Sequence, residues 1–206
     1  VINGILYIPK DATFTLLNGA ELVLASNAVL NVEGKLIIEE PYDGKTAKVT
    51  VTSGKIVVSG TIENGAEIDV TSGSVDIQAD GTLIVGETGK LVSSKVAVEE
   101  SGTLQVNGTL GATNVENAGT VVFDSEVASE NVTIVMKNGG AVDVKNIALK
   151  NEKSITIKDE KNSIVLNADE VVTESTVKDP AYGAAVISGV TVTEQITQNK
   201  DKSYTY

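Results

Sequence analysis

The sequence predicts an all-β protein, a right-handed parallel β-helix with about 20 residues per coil, on three observations. First, glycines recur at long, even intervals: Gly60 to Gly81, Gly81 to Gly102 and Gly119 to Gly140 are 21 residues each, Gly34 to Gly54 is 20 and Gly54 to Gly73 is 19. Second, each glycine opens a short alternating aliphatic run, too short to stand alone as a hairpin. Stacking coil on coil gives every such run two neighbours. Third, the chain is 41% hydrophobic but only 3% aromatic, with five Tyr, two Phe and no Trp. A narrow interior of Val, Ile, Leu and Ala suits that composition better than a sandwich or barrel centred on large rings.

The elements follow in order. Residues 1–17, VINGILYIPKDATFTLL, are rich in bulky side chains and predict an N-terminal cap. Residues 18–144 carry the regular repeats, with copies such as Gly34-Lys35-Leu36-Ile37-Ile38, Gly54-Lys55-Ile56-Val57-Val58 and Gly81-Thr82-Leu83-Ile84-Val85. Their glycines mark corners, where a positive φ or a close backbone approach is needed. Residues 39–48, EEPYDGKTAK, interrupt the pattern as a polar loop bulging from one corner. From residue 145 to 206 glycines thin out, and strands at 154–158, 163–167 and 186–193 predict irregular coils with larger turns ending in a C-terminal cap. The whole chain, 1–206, reads as a single solenoid domain of about ten coils, a rod of roughly 50 Å. The alternative is an antiparallel β-sandwich, because five Asn-Gly pairs, at Asn3, Asn18, Asn64, Asn107 and Asn138, are hairpin signals.

Composition excludes several partners. All 16 basic residues are Lys, against 28 carboxylates, for a formal charge of −12. That charge argues against nucleic acid and against an anionic membrane surface. No apolar run is long enough to insert this segment into a bilayer. Cysteine is absent, so disulfides, thiol chemistry and Cys-ligated metals are excluded. The chain opens at Val1 rather than Met and reads as a processed or excised chain whose signal peptide is gone.

The units SGKIVVSGTIENGAEIDV and ADGTLIVGETGKLVSS resemble the glycine-spaced repeats of prokaryotic cell-surface, adhesin-like and surface-layer-associated proteins with a pectin-lyase-like parallel β-helix. The resemblance covers about residues 18–144 and rests on a compositional signature rather than on a site. It implies a secreted, extracellular, structural or adhesive module: a rigid spacer or stalk that binds glycan or protein. The alternative is a self-assembling filament or surface-layer subunit joined through its terminal strands. The resemblance carries no catalytic residue onto this chain.

No catalytic or cofactor motif emerges, and the chain does not read as an enzyme. With no Arg and no His, only Lys, Tyr or a carboxylate is left as a base. The adjacent acids Glu39-Glu40, Glu99-Glu100 and Asp159-Glu160 read as solvated turns, since neighbours in a strand face opposite ways. Asp69, Asp76 and Asp80 lie within one coil and are candidate Ca²⁺ ligands with Glu63 or Glu67 of a neighbouring coil. Calcium is the one cofactor so indicated. For an ice-binding face, Thr50-Val51-Thr52 and Thr191-Val192-Thr193 are isolated, with no repeat at coil spacing. Asn107-Gly108-Thr109 and Asn131-Val132-Thr133 match the glycosylation sequon. The candidate ligand contacts are Tyr42 and Asp43, in the longest loop excursion. The candidates for self-association are Val1, Ile2 and Ile5 at one end and Tyr204 and Tyr206 at the other, where an unpaired strand can add to another copy.

Overall fold

The computed structural model describes residues 1–112, 114–125, 131–137 and 139–148, and beyond them the strand segments 155–158, 163–166, 171–178, 197–198 and 203–205. A first strand, β1 (Ile5–Ile8), precedes coils built from three short strands each. The first coil is β2 (Thr13–Leu16), β3 (Glu21–Leu24) and β4 (Val29–Val32). The second is β5 (Lys35–Ile38), β6 (Lys48–Val51) and β7 (Lys55–Val58). In the third, β8 (Thr61–Asn64) is followed by one long strand, β9 (Glu67–Ile77), which runs around a corner and serves two faces. The fourth repeats this with β10 (Thr82–Val85) and β11 (Lys90–Val98). The fifth is β12 (Thr103–Val106), β13 (Thr109–Ala112) and β14 (Val115–Asn117). Then come β15 (Thr120–Ser125) with β16 (Val132–Met136), and β17 (Ala141–Ala148) with β18 (Ile155–Lys158).

Strands stack in parallel about 21 residues apart, giving a β-solenoid of about six turns, with no helix among the described residues. The first face is the ladder β2-β5-β8-β10-β12-β15-β17. The second runs β3-β6, the first half of β9, the first half of β11, then β13. The third runs β1-β4-β7, the second halves of β9 and β11, then β14-β16-β18. Parallel register throughout these ladders excludes the sandwich alternative. The period is close to the expected 20, and the expected ten coils become six because the parallel stack ends at β17 and β18, where antiparallel strands follow.

The core follows from period-two alternation. Inward positions are mostly aliphatic, and Leu36, Ile62, Leu83 and Leu104 stack in register and are all fully buried. Among the described residues Phe123 is the one aromatic side chain in that buried core. The corner glycines act through close approach more than through positive φ. A methyl at Gly81 would collide with the carbonyl oxygen of Val58 in the coil beneath, and one at Gly54 with that of Ala28. Left-handed backbone falls instead on Asp80, before Gly81, and on Ser101, before Gly102, at φ 62° and 61°.

Among the described residues polar groups inside the coil are few, and two asparagines bond from one coil to the next, although Asn117 Oδ1 has no hydrogen-bond partner. Asn64, only 1% exposed, donates from Nδ2 to the Lys90 carbonyl at 3.0 Å and accepts the Ala66 N–H at 3.2 Å. Asn117, fully buried, donates to the Ala141 carbonyl at 2.8 Å. Each amide ties one coil to the next, where an unmet polar group would cost about 1–3 kcal/mol.

Residues 1–17, expected as an N-terminal cap, supply β1 and β2, which are parallel rungs on β4 and β5. Phe14 occupies the inward column of Leu36 yet is 37% exposed, with no described strand stacked on its other side. After β18 the chain does not continue as larger coils. β19 (Ser163–Leu166) pairs antiparallel with β18, and β20 (Val171–Lys178) antiparallel with β17. Two further segments, β21 (Thr197–Gln198) and β22 (Ser203–Thr205), extend the sheet of β19. The strand expected at 186–193 lies outside the described residues.

Candidate functional site

The most built-up surface feature is the loop between β5 and β6. Its tip is a two-residue turn: the Tyr42 N–H donates to the Lys45 carbonyl at 3.1 Å, and the Lys45 N–H returns to the Tyr42 carbonyl at 3.0 Å. Asp43 and Gly44 between them have φ of 51° and 70°. Positive φ at both centres defines the hairpin turn that Asp-Gly favours. The loop is pinned to the coil below. Asn18 donates from Nδ2 to the Tyr42 carbonyl at 2.8 Å, and its N–H donates to the Glu39 carboxylate at 2.9 Å. Gly19, left-handed at φ 77°, packs beside the aliphatic stem of Lys45.

This pinning presents the Tyr42 ring to solvent, 78% exposed, with the Asp43 carboxylate adjacent in the turn and exposed Leu17 next to the anchoring Asn18. The two ligand candidates read from the sequence are thus brought together on a rigid turn. An exposed aromatic ring can stack on an apolar face, such as that of a sugar ring.

The three aspartates are not brought together. Asp69 points out from the second face, Asp76 from the third, and Asp80 sits at the corner that follows. Asp69 accepts both the Thr71 N–H and the Thr71 hydroxyl and lies 3.7 Å from Lys48. The Thr71 hydrogen bonds hold its pKa below the ordinary carboxylate value, with Lys48 adding to the effect. Asp76 faces Lys55 at 3.9 Å, Glu63 faces Lys35 at 2.8 Å and Glu67 faces Lys48 at 3.1 Å. The hydrogen bond to Glu67 raises the Lys48 pKa. Among the described residues no three carboxylates gather as a metal site would require. The reason is geometric: consecutive faces of the coil diverge, so closeness in sequence does not become convergence.

The same register produces an axial charge ladder on the second face, Glu21, Lys48, Glu67, Lys90, each directly over the last. It also produces a column that inspection of the sequence missed. Thr61, Thr82, Thr103 and Thr120 align on the outside of the first face. The signal was the recurring Gly-Thr dipeptide, disguised by the shorter fifth coil. The column is single: its neighbours are Ile37, Glu63, Ile84, Gln105, Val122 and Asp143, and cross-strand threonine pairing accounts for it.

At the N-terminal end Val1 and Ile5 are 85% and 72% exposed. Ile2 is held, its N–H on the Val23 carbonyl and its own carbonyl accepting from Ala25, both at 2.8 Å. Tyr7, Phe14 and Leu17 are further exposed large apolar side chains of this end. The Tyr7 hydroxyl donates to Glu33 at 2.6 Å, which raises the phenol pKa. Of the other terminal candidates, Tyr204 has its backbone in β22, while its side chain and all of Tyr206 lie outside the described residues. Glu99 and Glu100 are exposed at a turn and, with Glu116 and Lys137, line an open groove of about 390 Å³. No family model matches the chain, and no curated protein or solved structure is significantly similar to it.

Proposed function

We propose that this chain is a rigid, non-catalytic spacer or adhesive module of a prokaryotic surface protein, working outside the cell and binding glycan or protein. The observation that carries this reading is the pairing of a stacked, in-register rod with one pinned, outward-facing aromatic turn at Tyr42-Asp43. Each coil depends on its neighbours through ladder hydrogen bonds and inter-coil ion pairs, which favours stiffness along the axis. Its acidic, lysine-dotted exterior keeps such a rod soluble. A glycan array probed with the intact chain and with Tyr42→Ala tests the binding role. The expected result is a glycan signal that falls about tenfold or more in the variant, the loss of a stacked ring; an undiminished signal overturns the assignment to this turn.

A second reading is favoured by the N-terminal end. There β1 and β2 are outermost rungs, Phe14 is uncovered, and Val1, Ile5 and Leu17 are exposed. Such an edge can take a further strand from another copy. Light scattering across a concentration series distinguishes the readings. A mass growing beyond 21.4 kDa, reversed by Ile5→Lys with Leu17→Lys, supports assembly; a constant monomer mass removes it.

A further inference from the structure

Five asparagines precede a glycine: Asn3, Asn18, Asn64, Asn107 and Asn138. In such a pair the glycine nitrogen can attack the asparagine side-chain carbonyl, because no Cβ blocks the approach. The attack needs a free glycine N–H, a free side chain and a backbone able to bring the two together. The fold treats the pairs very differently in these respects. Asn138 lies outside the described residues.

At Asn64 all three conditions fail. The side chain is 1% exposed, its amide is held on both sides by Lys90 and Ala66, and the Gly65 N–H donates to the Ile38 carbonyl at 2.9 Å. Reaction there requires two coils to part. Asn18 is held by its amide on the Tyr42 carbonyl and its N–H on Glu39. Asn107 accepts from Gln105 at 3.1 Å, and its N–H donates to Val85 at 2.8 Å. Asn3 is exposed on the outermost rung, before the start of β1. Among the described residues no hydrogen bond engages its side chain or the Gly4 N–H, and no atom outside the adjoining residues lies within 4 Å of where a Gly4 Cβ would stand.

We infer that Asn3 is a site of spontaneous deamidation, and that stacking of the coils protects Asn64. The Gly4 nitrogen loses its proton to water or hydroxide and forms a C–N bond to Cγ of Asn3. The Cγ–Nδ2 bond breaks, and the nitrogen leaves as ammonia. Water opens the resulting succinimide at either carbonyl, to aspartate or isoaspartate. One water is consumed, one ammonia is released, and no electrons are transferred. The product places a carboxylate among Val1, Ile2 and Ile5, and the isoaspartate form lengthens the backbone between the Ile2 bridge to Leu24 and β1.

The test incubates the intact chain in mildly alkaline buffer, with a parallel sample in urea, until the urea sample has converted. Peptide mapping reads the one-dalton gain at each asparagine, and isoaspartyl methyltransferase labelling reads the isomer. In native buffer Asn3 converts about tenfold or more faster than Asn64, since exchange at Asn64 waits on opening of the stack; in urea the two rates come together. Equal rates in native buffer overturn the inference. So does an Asn3 that stays intact while its urea counterpart converts.

Discussion

The central coils and the N-terminal rung share one sequence pattern and reach different ends. In β8, β10 and β12 the inward Ile62, Leu83 and Leu104 are fully buried, whereas Phe14, in the same column and larger than any of them, is 37% exposed. Nothing local separates them. A solenoid residue is covered by the coils on either side, so burial here belongs to the stack rather than to the strand. The opposite end makes the same point, for there the edges of β17 and β18 are covered by antiparallel strands of the same chain. Among the described residues, β17 and β18 meet a reversal of the chain, while β1 and β2 pair on one side only.

The comparison can be broken hardest at a corner. Gly81→Ala forces a methyl onto the Val58 carbonyl, and backbone on both sides leaves nowhere for it to go. Thermal or urea unfolding of this variant should show a loss of about 3 kcal/mol or more. Gly4→Ala, with open space around it, should lie within about 0.5 kcal/mol of the parent. Similar losses at the two glycines would refute close approach as the corner rule.

Next in size is the core column. Leu83→Ala should cost about 2–5 kcal/mol, as a deleted side chain does in a closed interior. Phe14→Ala should cost less than half of that despite the larger side chain, because the ring is only partly covered. If Phe14→Ala proves as costly as Leu83→Ala, the end is covered in solution, and assembly through it becomes the better account.

The smallest effect concerns pH and the charged second face. Asp69 has a lowered pKa in the folded chain, so its contribution is present above the unfolded value of about 3.9 and is lost as pH falls through the lower folded value. Lys48 has a raised pKa, so its contribution is present below about 10.4 and is lost as pH rises through the higher folded value. Each group is about a third exposed, so the effect of either should not exceed about 1 kcal/mol. Asp69→Asn should flatten the acid limb of stability against pH, and Lys48→Gln the alkaline limb. Unchanged limbs in both variants would mean that the ladder does not contribute to folding.

Much of the architecture was legible in the residues because its causes are local. Alternation in Leu83-Ile84-Val85 marks an inward and an outward side whatever the strand pairs with. Glycine at each corner likewise announces itself by spacing. The loop at 39–48 was legible as a polar interruption of the repeat, while its two-residue turn at Asp43-Gly44 came only from the structure. The aspartates were misleading for the opposite reason: Asp69 and Asp76 are neighbours in the chain, but the corner between them turns their faces apart.

By itself the sequence determined the period, the aliphatic core and the positions of the corners, all properties of a segment and its near neighbours. Only the tertiary structure decided that Thr61, Thr82, Thr103 and Thr120 form one column, that the charges alternate along an axis, and that Phe14 is left uncovered. The physical reason is that corners spend different numbers of residues from coil to coil. Register between coils is settled by which aliphatic side chains meet inside, and a one-residue slip would turn that whole set outward.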